Sequence, residues 1–382
     1  MEGNQIFNTI EEIKATLEVN EKRAVELLSK ELVPCITTGT EKRTRYYTTT
    51  NMIGHTKKYI EIKMGEKDIP HTNRDIFLKE PIDEMMDEAI TDPAVVITVT
   101  NQKGGVSKTT NTVTIATALA MLGQRVLVVD LDPQAQSSTY FNDDSFIGRS
   151  IMLLFREYDM NKDNITKELV ESVIHTEEGI SINGKFSIDI LPSELRLGRT
   201  MEAIARNFGS HKALSLILDQ VKNEYDFIII DTPPSPGLPL ISSMYATDKV
   251  VLSAKPTQKS LEGLEMTIEE IKDFNREVEK ETQMDAIFIN EFNPILNHHH
   301  RLLEESVGHS RKIGIPEERE FVSKLAPTIF ETSQEAKVSI LDYLEKPKDT
   351  LAAFDPFFRY ASYLVLERVE KAEAEKSMKK GA

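Results

Sequence analysis

The sequence has very little cysteine and no long apolar segment. Its 382 residues include a single cysteine, Cys35, which excludes a framework of disulfide bonds. The first residues show neither the basic start nor the apolar core of a signal peptide, and no apolar run reaches the ~18 residues needed to cross a bilayer. We therefore expect a soluble, cytoplasmic protein. The chain exceeds the roughly 250 to 300 residues at which one core stops growing, so two folded units are expected.

Positive charge is outnumbered by negative charge. The chain carries 46 Lys and Arg against 62 Asp and Glu, a net charge of −16. Affinity for nucleic acid depends on counterions released from phosphates, and it needs a local positive surface. A DNA-binding function therefore requires the charge to be unevenly distributed along the chain.

The most informative segment is residues 103–110, KGGVSKTT, which follow the apolar run at 94–99. An apolar, β-branched run that breaks into two glycines and then into helix-compatible residues predicts a strand, a loop and a helix. This layout points backbone N–H groups and a helix N-terminus at a phosphate chain. Lys108 would then reach the β- and γ-phosphates, and the Thr109 hydroxyl would bind Mg²⁺. The alternative is a glycine turn with two solvated lysines.

The loop departs from the ordinary pattern G-x-x-x-x-G-K-[ST], because Gln102 and Ser107 occupy the two glycine positions. It fits the deviant form K-G-G-x-x-K-[ST], and in this it resembles the ParA/MinD family of P-loop ATPases. The resemblance implies that the front lysine, Lys103, reaches across a dimer interface to the partner's nucleotide, as an arginine finger does. It also implies ATP binding by Gly104, Gly105, Val106, Ser107, Lys108, Thr109 and Thr110.

Two further apolar runs end in carboxylates. Residues 125–134, RVLVVDLDPQ, match the D-x-D-P-Q signature of the family. By that resemblance Asp132 orients or activates the attacking water, and Asp130 helps to hold the metal and the loop. Residues 225–234, YDFIIIDTPP, have the layout of a Walker B strand, so Asp231 is expected to hold Mg²⁺ through water. A single strand that ends in Asp is weak evidence, because such aspartates also cap helices.

Other apolar runs, at 186–191, 250–254 and 286–290, predict further strands, each followed by a loop or a helix-compatible stretch. The predicted fold is α/β, a mostly parallel twisted sheet with helices on both faces. Such sheets bind ligands beyond the carboxyl ends of their strands. By resemblance Asn290 is a candidate contact for adenine. The lone Cys35 argues against the branch of nitrogenase iron proteins, which needs two thiolates per subunit.

The first ninety or so residues divide by composition. Residues 4–30 carry apolar residues at helical spacing, beginning at Ile6. Residues 41–79 have nine bases against five acids, and residues 83–92 are acidic. This layout resembles the large plasmid-type ParA proteins. It implies a helical dimerisation segment at 1–35, a winged helix-turn-helix domain at 36–92, an ATPase domain at 93–371 and a tail at 372–382.

Within the basic segment we predict a short helix beginning at Thr48, a turn at Gly54 and a second helix over 55–64 that enters the major groove. A solvated basic helix is the alternative. The candidate contacts for operator DNA are Arg43, Arg45, Lys57 and Lys58. By resemblance, Lys324 and Lys337 are candidates for the family's non-specific DNA-binding surface. The alternative is that both are solvated surface lysines.

The resemblance implies a partition ATPase that uses ATP and Mg²⁺ and forms a homodimer. The dimer would bind DNA non-specifically, respond to a ParB-like partner and repress its own operon, in the cytoplasm on the nucleoid. One alternative is a MinD-like membrane-positioning ATPase, which residues 369–382 do not favour because they lack apolar anchors. Another is a repressor that uses its ATP site as a switch. The run His298–His300 is not expected to bind metal, because consecutive residues cannot all face one ion.

Overall fold

The computed structural model describes residues 93–121, 123–141, 148–181, 184–278, 280, 282–293 and 295–323. It also describes helical residues within 356–371 and, nearer the N-terminus, residues 6–7, 22, 36–38 and 45–49.

The main body of the protein is one eight-stranded sheet. Its strands are β4 (Val95–Thr100), β5 (Val126–Asp130), β6 (His175–Ser181), β7 (Gly184–Leu191), β8 (Phe227–Asp231), β9 (Lys249–Ala254), β10 (Gln283–Ile289) and β11 (Glu320–Val322). The spatial order is β11-β10-β9-β4-β8-β5-β7-β6. All neighbours are parallel except β6, which pairs antiparallel with β7 at one edge. The central strands are continuous apolar runs, as expected of parallel strands that are covered on both faces.

The helices cover both faces of this sheet, as predicted. They are α1 (Lys108–Met121), α2 (Gln136–Tyr140), α3 (Ile151–Met160), α4 (Lys167–Glu171), α5 (Leu197–Ile204), α6 (Ala213–Asp219), α7 (Leu238–Ala246), α8 (Gln258–Val278) and α9 (Asn297–Lys312). Side chains of β4 alternate between faces. Val99 joins a core with α1 and the helical residues of 356–371, and Val96 joins a core with α3, α5 and α6.

Helix α1 is buried along its length although it is rich in threonine. Two of its hydroxyls bond within the helix, since Thr114 Oγ1 donates to the Thr110 carbonyl at 2.6 Å and Thr117 Oγ1 to the Val113 carbonyl at 2.8 Å. A helix that is polar in composition can therefore lie under the sheet.

Near the N-terminus, β1 (Ile6–Phe7), β2 (Ile36–Thr38) and β3 (Arg45–Thr49) form a small antiparallel sheet in the order β1-β3-β2. Two sequence predictions are wrong here. The spacing predicts a helix that includes Ile6 and another that begins at Thr48, yet Ile6 pairs with Thr49 and Phe7 with Thr48. The β-branched and aromatic residues of these short segments favour strands, and pairing between distant segments overrides helical spacing. The remainder of the predicted helix-turn-helix lies outside the described residues.

Candidate nucleotide-binding site

The candidate site begins where β4 ends and α1 starts. The loop between them is strongly turned, with Gly105 at φ 70° and Ser107 at φ 69°. Left-handed residues that alternate with residues of negative φ aim backbone N–H groups into one concave surface, which suits an anion. Ser107 stands where the ordinary motif has glycine, and its positive φ explains why glycine is common there.

The two lysines of the loop occupy different environments. Lys108 is only 6% exposed, and its Nζ donates a hydrogen bond to the carbonyl of Lys103 at 3.0 Å. Burial lowers the pKa of Lys108, although the charges of Asp231 and Asp132 oppose this shift. Lys103 is exposed, while its backbone N–H donates to Asn101 Oδ1 at 2.8 Å. One lysine therefore points into the loop, and the other stands at its outer surface.

The carboxyl ends of β5 and β8 bring two aspartates side by side, since Asp130 and Asp231 are paired in register. Asp231 Oδ2 accepts hydrogen bonds from Thr109 Oγ1 at 2.7 Å and from Ser137 Oγ at 2.6 Å. Its Oδ1 is buried and has no hydrogen-bond partner among the described residues. Burial raises the pKa of Asp231 to about 6, although the hydroxyls of Ser137 and Thr109 and the charge of Lys108 oppose it.

An orphaned carboxylate oxygen beside a threonine hydroxyl fits a hard divalent cation, which prefers oxygen ligands. The donor set formed by Thr109 and Asp231 therefore suits Mg²⁺.

Asp130 has both oxygens engaged by the following loop and by helix α2. Oδ1 accepts from the backbone N–H of Asp132 at 3.0 Å, and Oδ2 accepts from Ser138 N at 2.9 Å and Ser138 Oγ at 2.8 Å. Burial, together with the neighbouring charge of Asp231, raises the pKa of Asp130 to about 8. Asp130 thus fixes the segment that carries Asp132. Its predicted role toward the metal stays a prediction.

Asp132 lies half-buried at the rim of the site. Its Oδ1 accepts from the backbone N–H of Gln134 at 2.9 Å, which closes a tight turn. Ala135 continues that turn with φ 53°, and α2 begins directly after it. The turn holds a carboxylate near the loop and leaves Asp132 accessible from solvent.

A group of polar residues that the sequence motifs do not include braces the loop from β9. Ser253 Oγ hydrogen-bonds to the carbonyl of Val106. Asn101 Nδ2 donates to the Ser253 carbonyl at 2.7 Å, and Asn111 Nδ2 donates to Ser253 Oγ at 2.9 Å. The signal that could have revealed this group is a lone serine in the apolar strand VVLSA, because a buried hydroxyl needs a partner.

Asn290 lies immediately after β10, where its backbone N–H donates to the carbonyl of Ala254 at 2.8 Å. Its side chain is 1% exposed, and neither Oδ1 nor Nδ2 has a hydrogen-bond partner among the described residues. An unpaired buried amide is unfavourable unless a ligand or water satisfies it. The neighbouring Glu291, in a left-handed conformation at φ 57°, pairs with Lys255.

Of the predicted DNA contacts, Arg45 lies in β3. The others, which lie outside the described residues, are Arg43, Lys57, Lys58, Lys324 and Lys337.

The histidine run forms the start of α9, where His299 Nδ1 accepts a hydrogen bond from the Asn293 N–H at 3.0 Å. The described residues contain no cluster of three or more side chains suited to holding a metal ion. Among the same residues, no helix combines the length and apolar character needed to span a membrane.

Sequence comparisons find relatives over the part of the chain that carries this site. A family profile described as an AAA domain matches residues 94–284, half of the chain. An uncharacterized protein of Methanocaldococcus jannaschii is 36% identical over 190 residues, 47% of this chain and 68% of that protein. A ParA family protein of Mycoplasma pneumoniae is 30% identical over 51% of this chain and 70% of its own length. The chromosome partitioning protein ParA of Myxococcus xanthus is 28% identical over 57% and 72%.

Solved structures share the fold. The structure of pnob8 ParA has a TM-score of 0.55 at 19% identity and covers 73% of this chain and 99% of that one. Cobyrinic acid a,c-diamide synthase from Mycobacterium smegmatis, solved with ADP and magnesium, has a TM-score of 0.51 at 21% identity over 71% and 94%. At these identities the likeness concerns the fold alone.

Proposed function

The chain belongs to the ParA family of P-loop ATPases, and from this premise we propose that it is a partition ATPase that hydrolyses ATP with Mg²⁺ in a shared dimer site. The observation that carries the proposal is the contrast between the two lysines of one loop. Lys108 is buried beside Asp231 and Thr109, whereas Lys103 is exposed at the front. Lys108 is therefore suited to the nucleotide of its own subunit, and Lys103 to the nucleotide of the partner.

Within one subunit the loop binds the phosphates. Backbone N–H groups at Gly104, Gly105, Val106, Ser107 and Thr110 would contact phosphate oxygens, and Lys108 would balance the charge of the β- and γ-phosphates. Thr109 and Asp231 would hold Mg²⁺, which would supply positive charge to the phosphates and neutralise the charge that develops during transfer. Asp130 supports this arrangement by fixing the turn next to it.

Two other side chains have distinct tasks in the proposal. Asp132 orients the attacking water at the rim of the site, which agrees with its half-buried position and its fixed turn. Asn290 contacts the base, because its unpaired amide offers both donor and acceptor groups. A site that must satisfy a buried amide discriminates between bases by hydrogen bonding.

Lys103 acts on the partner's nucleotide. Its exposed position on the outer surface of the loop suits a cation delivered in trans, and such a charge is worth roughly 10³ to 10⁵ in rate in related phosphoryl transfers. ATP thereby promotes a homodimer, and hydrolysis dissolves it.

The biological role follows from that cycle. The ATP-bound dimer binds DNA non-specifically in the cytoplasm, on the nucleoid, through a surface that includes Lys324 and Lys337. A ParB-like centromere-binding partner stimulates hydrolysis and release. The N-terminal residues bind an operator and repress the chain's own operon.

The test compares two lysine variants. Lys108→Ala should abolish ATP binding, because it removes the cation inside the loop. Lys103→Ala should bind ATP with an affinity within about threefold of wild type but lose ATP-dependent dimerisation and at least about 10³-fold in turnover. Nucleotide titration and analytical ultracentrifugation measure the two properties separately.

Mixing variants checks that the site is shared. Lys103→Ala mixed with Asp132→Ala can form heterodimers in which one of the two sites has both groups intact, so part of the turnover should return. Each variant alone serves as the control. No recovery at any mixing ratio would overturn the trans role of Lys103.

A further inference from the structure

Helix α8 packs directly on the front of the phosphate-binding loop. Gly263, in the second turn of the helix, is buried against Asn101 and Lys103. A Cβ atom placed on Gly263 would lie 2.7 Å from Asn101 Oδ1 and 2.8 Å from Lys103 Cβ. Side chains do not approach this closely, so only glycine lets the helix and the loop meet here.

Neither neighbour can move away easily. Asn101 is fully buried, and it is held by the hydrogen bond from Lys103 N and by its own bond to the Ser253 carbonyl. The Lys103 Cβ is the first atom of the side chain and moves only with its backbone. A methyl group at position 263 would therefore displace the backbone of Lys103.

One turn further along α8, two side chains hold the residue before the lysine. Thr267 Oγ1 accepts a hydrogen bond from the backbone N–H of Gln102 at 2.9 Å and donates to the Gly263 carbonyl at 2.7 Å. The Gln102 side chain also hydrogen-bonds to Glu270. Three residues of one helix face thus contact three successive residues of the loop.

These contacts lie at the front lysine and away from the phosphate side of the loop. Lys108 lies at the start of α1, and Thr109 bonds to Asp231 on β8. The two ends of the loop are linked by the bond from Lys108 Nζ to the Lys103 carbonyl. A change in α8 therefore acts directly on the front lysine and reaches Lys108 only through the Lys103 carbonyl.

We propose that Gly263, Thr267 and Glu270 are positioning residues for Lys103, so that helix α8 sets the direction in which this lysine leaves the subunit. The inference rests on the proposed function, in which Lys103 serves the partner's nucleotide. Misplacement of a reacting group by about 1 Å can lower a rate about 100-fold, so small shifts of the Lys103 backbone matter.

Gly263→Ala tests the close contact. It should keep the ATP KM within about threefold of wild type and lower kcat at least about tenfold, with ATP-dependent dimerisation weakened to a similar extent. Gly308→Ala is the matched control, because it lies in helix α9 and a Cβ there meets nothing within 4 Å. The control should match wild type. Thermal melting of both variants checks that they fold.

Thr267 provides a second test with a built-in rescue. Thr267→Val keeps the shape but removes the acceptor for Gln102 N–H, and it should lower kcat with little change in KM. Thr267→Ser keeps the hydroxyl and lacks the methyl group, and it should keep the wild-type kcat. If Thr267 acted only through packing of its methyl group, the serine variant would be impaired and the valine variant would not. If both Gly263→Ala and Thr267→Val retain wild-type kcat and dimerisation, the positioning role is overturned.

Lys103→Ala separates this failure from failure of the proposed function. If Lys103→Ala dimerises and turns over like wild type, the trans role of the lysine is wrong and the positioning role falls with it. If Lys103→Ala is inactive while Gly263→Ala and Thr267→Val behave like Gly308→Ala, only the role of α8 is wrong.

Discussion

At the scale of single residues, Ser107 shows how the loop tolerates a departure from the ordinary motif. Its φ of 69° is the left-handed conformation, which costs a residue with a side chain about 1 to 2 kcal/mol relative to the right-handed one. A short polar side chain tolerates this region better than a β-branched one. The loop geometry is therefore kept although glycine is absent.

Two substitutions at Ser107 test this explanation. Ser107→Gly should retain ATP affinity and leave the free energy of unfolding unchanged or raise it by up to about 1 kcal/mol, since relief of strain is partly offset by unfolded-state entropy. Ser107→Val should lower it by about 1 to 3 kcal/mol and weaken ATP binding. Urea unfolding and nucleotide titration measure both.

The control for the valine variant is Ser187→Val, at an exposed position in strand β7. A β-branched residue is favoured in a strand, so this variant should be close to neutral. If Ser107→Val bound ATP as tightly as wild type, the left-handed requirement would not explain the choice of residue.

At the residue level, the sequence supports a prediction where the chemistry is local. Thr109 hydrogen-bonds to Asp231. Each residue is part of a short motif, since Thr109 follows the loop lysine and Asp231 ends an apolar strand. The residues that the motifs do not reveal act across long separations. Asn101 and Ser253 are 152 positions apart, and no local pattern links them.

At the scale of elements, the C-terminal helical residues are anchored to the sheet by an ion network. Asp285 in β10 is fully buried, and it accepts hydrogen bonds from Lys249 Nζ at 2.7 Å, Tyr360 Oη at 2.9 Å and Arg319. Glu367 completes the network through Lys249 at 2.8 Å and Arg319. Buried charges are tolerated only when paired in this way.

Glu367 gives this anchor a predictable dependence on pH. Burial would raise its pKa, but Lys249 and Arg319 outweigh burial and hold the pKa of Glu367 below its ordinary value. A lowered pKa in the folded state means that the stabilisation is present above the unfolded pKa of about 4.3 and is lost as pH falls through the folded value.

Glu367→Gln should therefore lower the free energy of unfolding by about 1 kcal/mol at pH 7, as for a partly exposed ion pair. The difference from wild type should stay constant above about pH 5 and shrink below about pH 4.3. Urea unfolding from about pH 3.5 to about pH 7 measures it, with Glu277→Gln on the exposed part of α8 as control. A difference that grew with acidity would contradict the assignment.

A strand of this sheet can be predicted from the sequence when it contains a clear apolar pattern. Strands β9 and β10 lie close to their predicted positions, because their buried parts are apolar runs, and β7 is also close, with alternating apolar residues at Phe186, Ile188 and Ile190. The edge strands β6 and β11 are not predicted, since HTEEGIS and EFV lack that pattern. Strand β1 and the last two residues of β3, Thr48 and Thr49, fall where helices are predicted, because their pairing depends on distant partners.

At the scale of the whole molecule, the net charge of −16 conceals an uneven distribution. Residues 41–79 carry nine bases against five acids, although the chain as a whole is acidic. We expect two separate modes of DNA binding from this pattern. An operator would be read by the N-terminal residues, and arbitrary DNA would be bound by the ATP dimer.

Charge reversals in the full chain separate the two modes. Lys57→Glu with Lys58→Glu should remove the preference for the chain's own promoter while ATP-dependent binding to arbitrary DNA survives. Lys324→Glu with Lys337→Glu should do the opposite, and removal of each phosphate contact should flatten the log–log salt dependence of arbitrary-DNA binding by about 0.9. Fluorescence anisotropy across a salt series, with ATP and with ADP, measures both modes.

The control is Lys162→Glu with Lys272→Glu, which changes the net charge equally at exposed positions elsewhere. It should leave both salt slopes unchanged. A Lys57 and Lys58 variant that still selected its own promoter would exclude the helix-turn-helix assignment, because sequence is read by side chains that reach base edges.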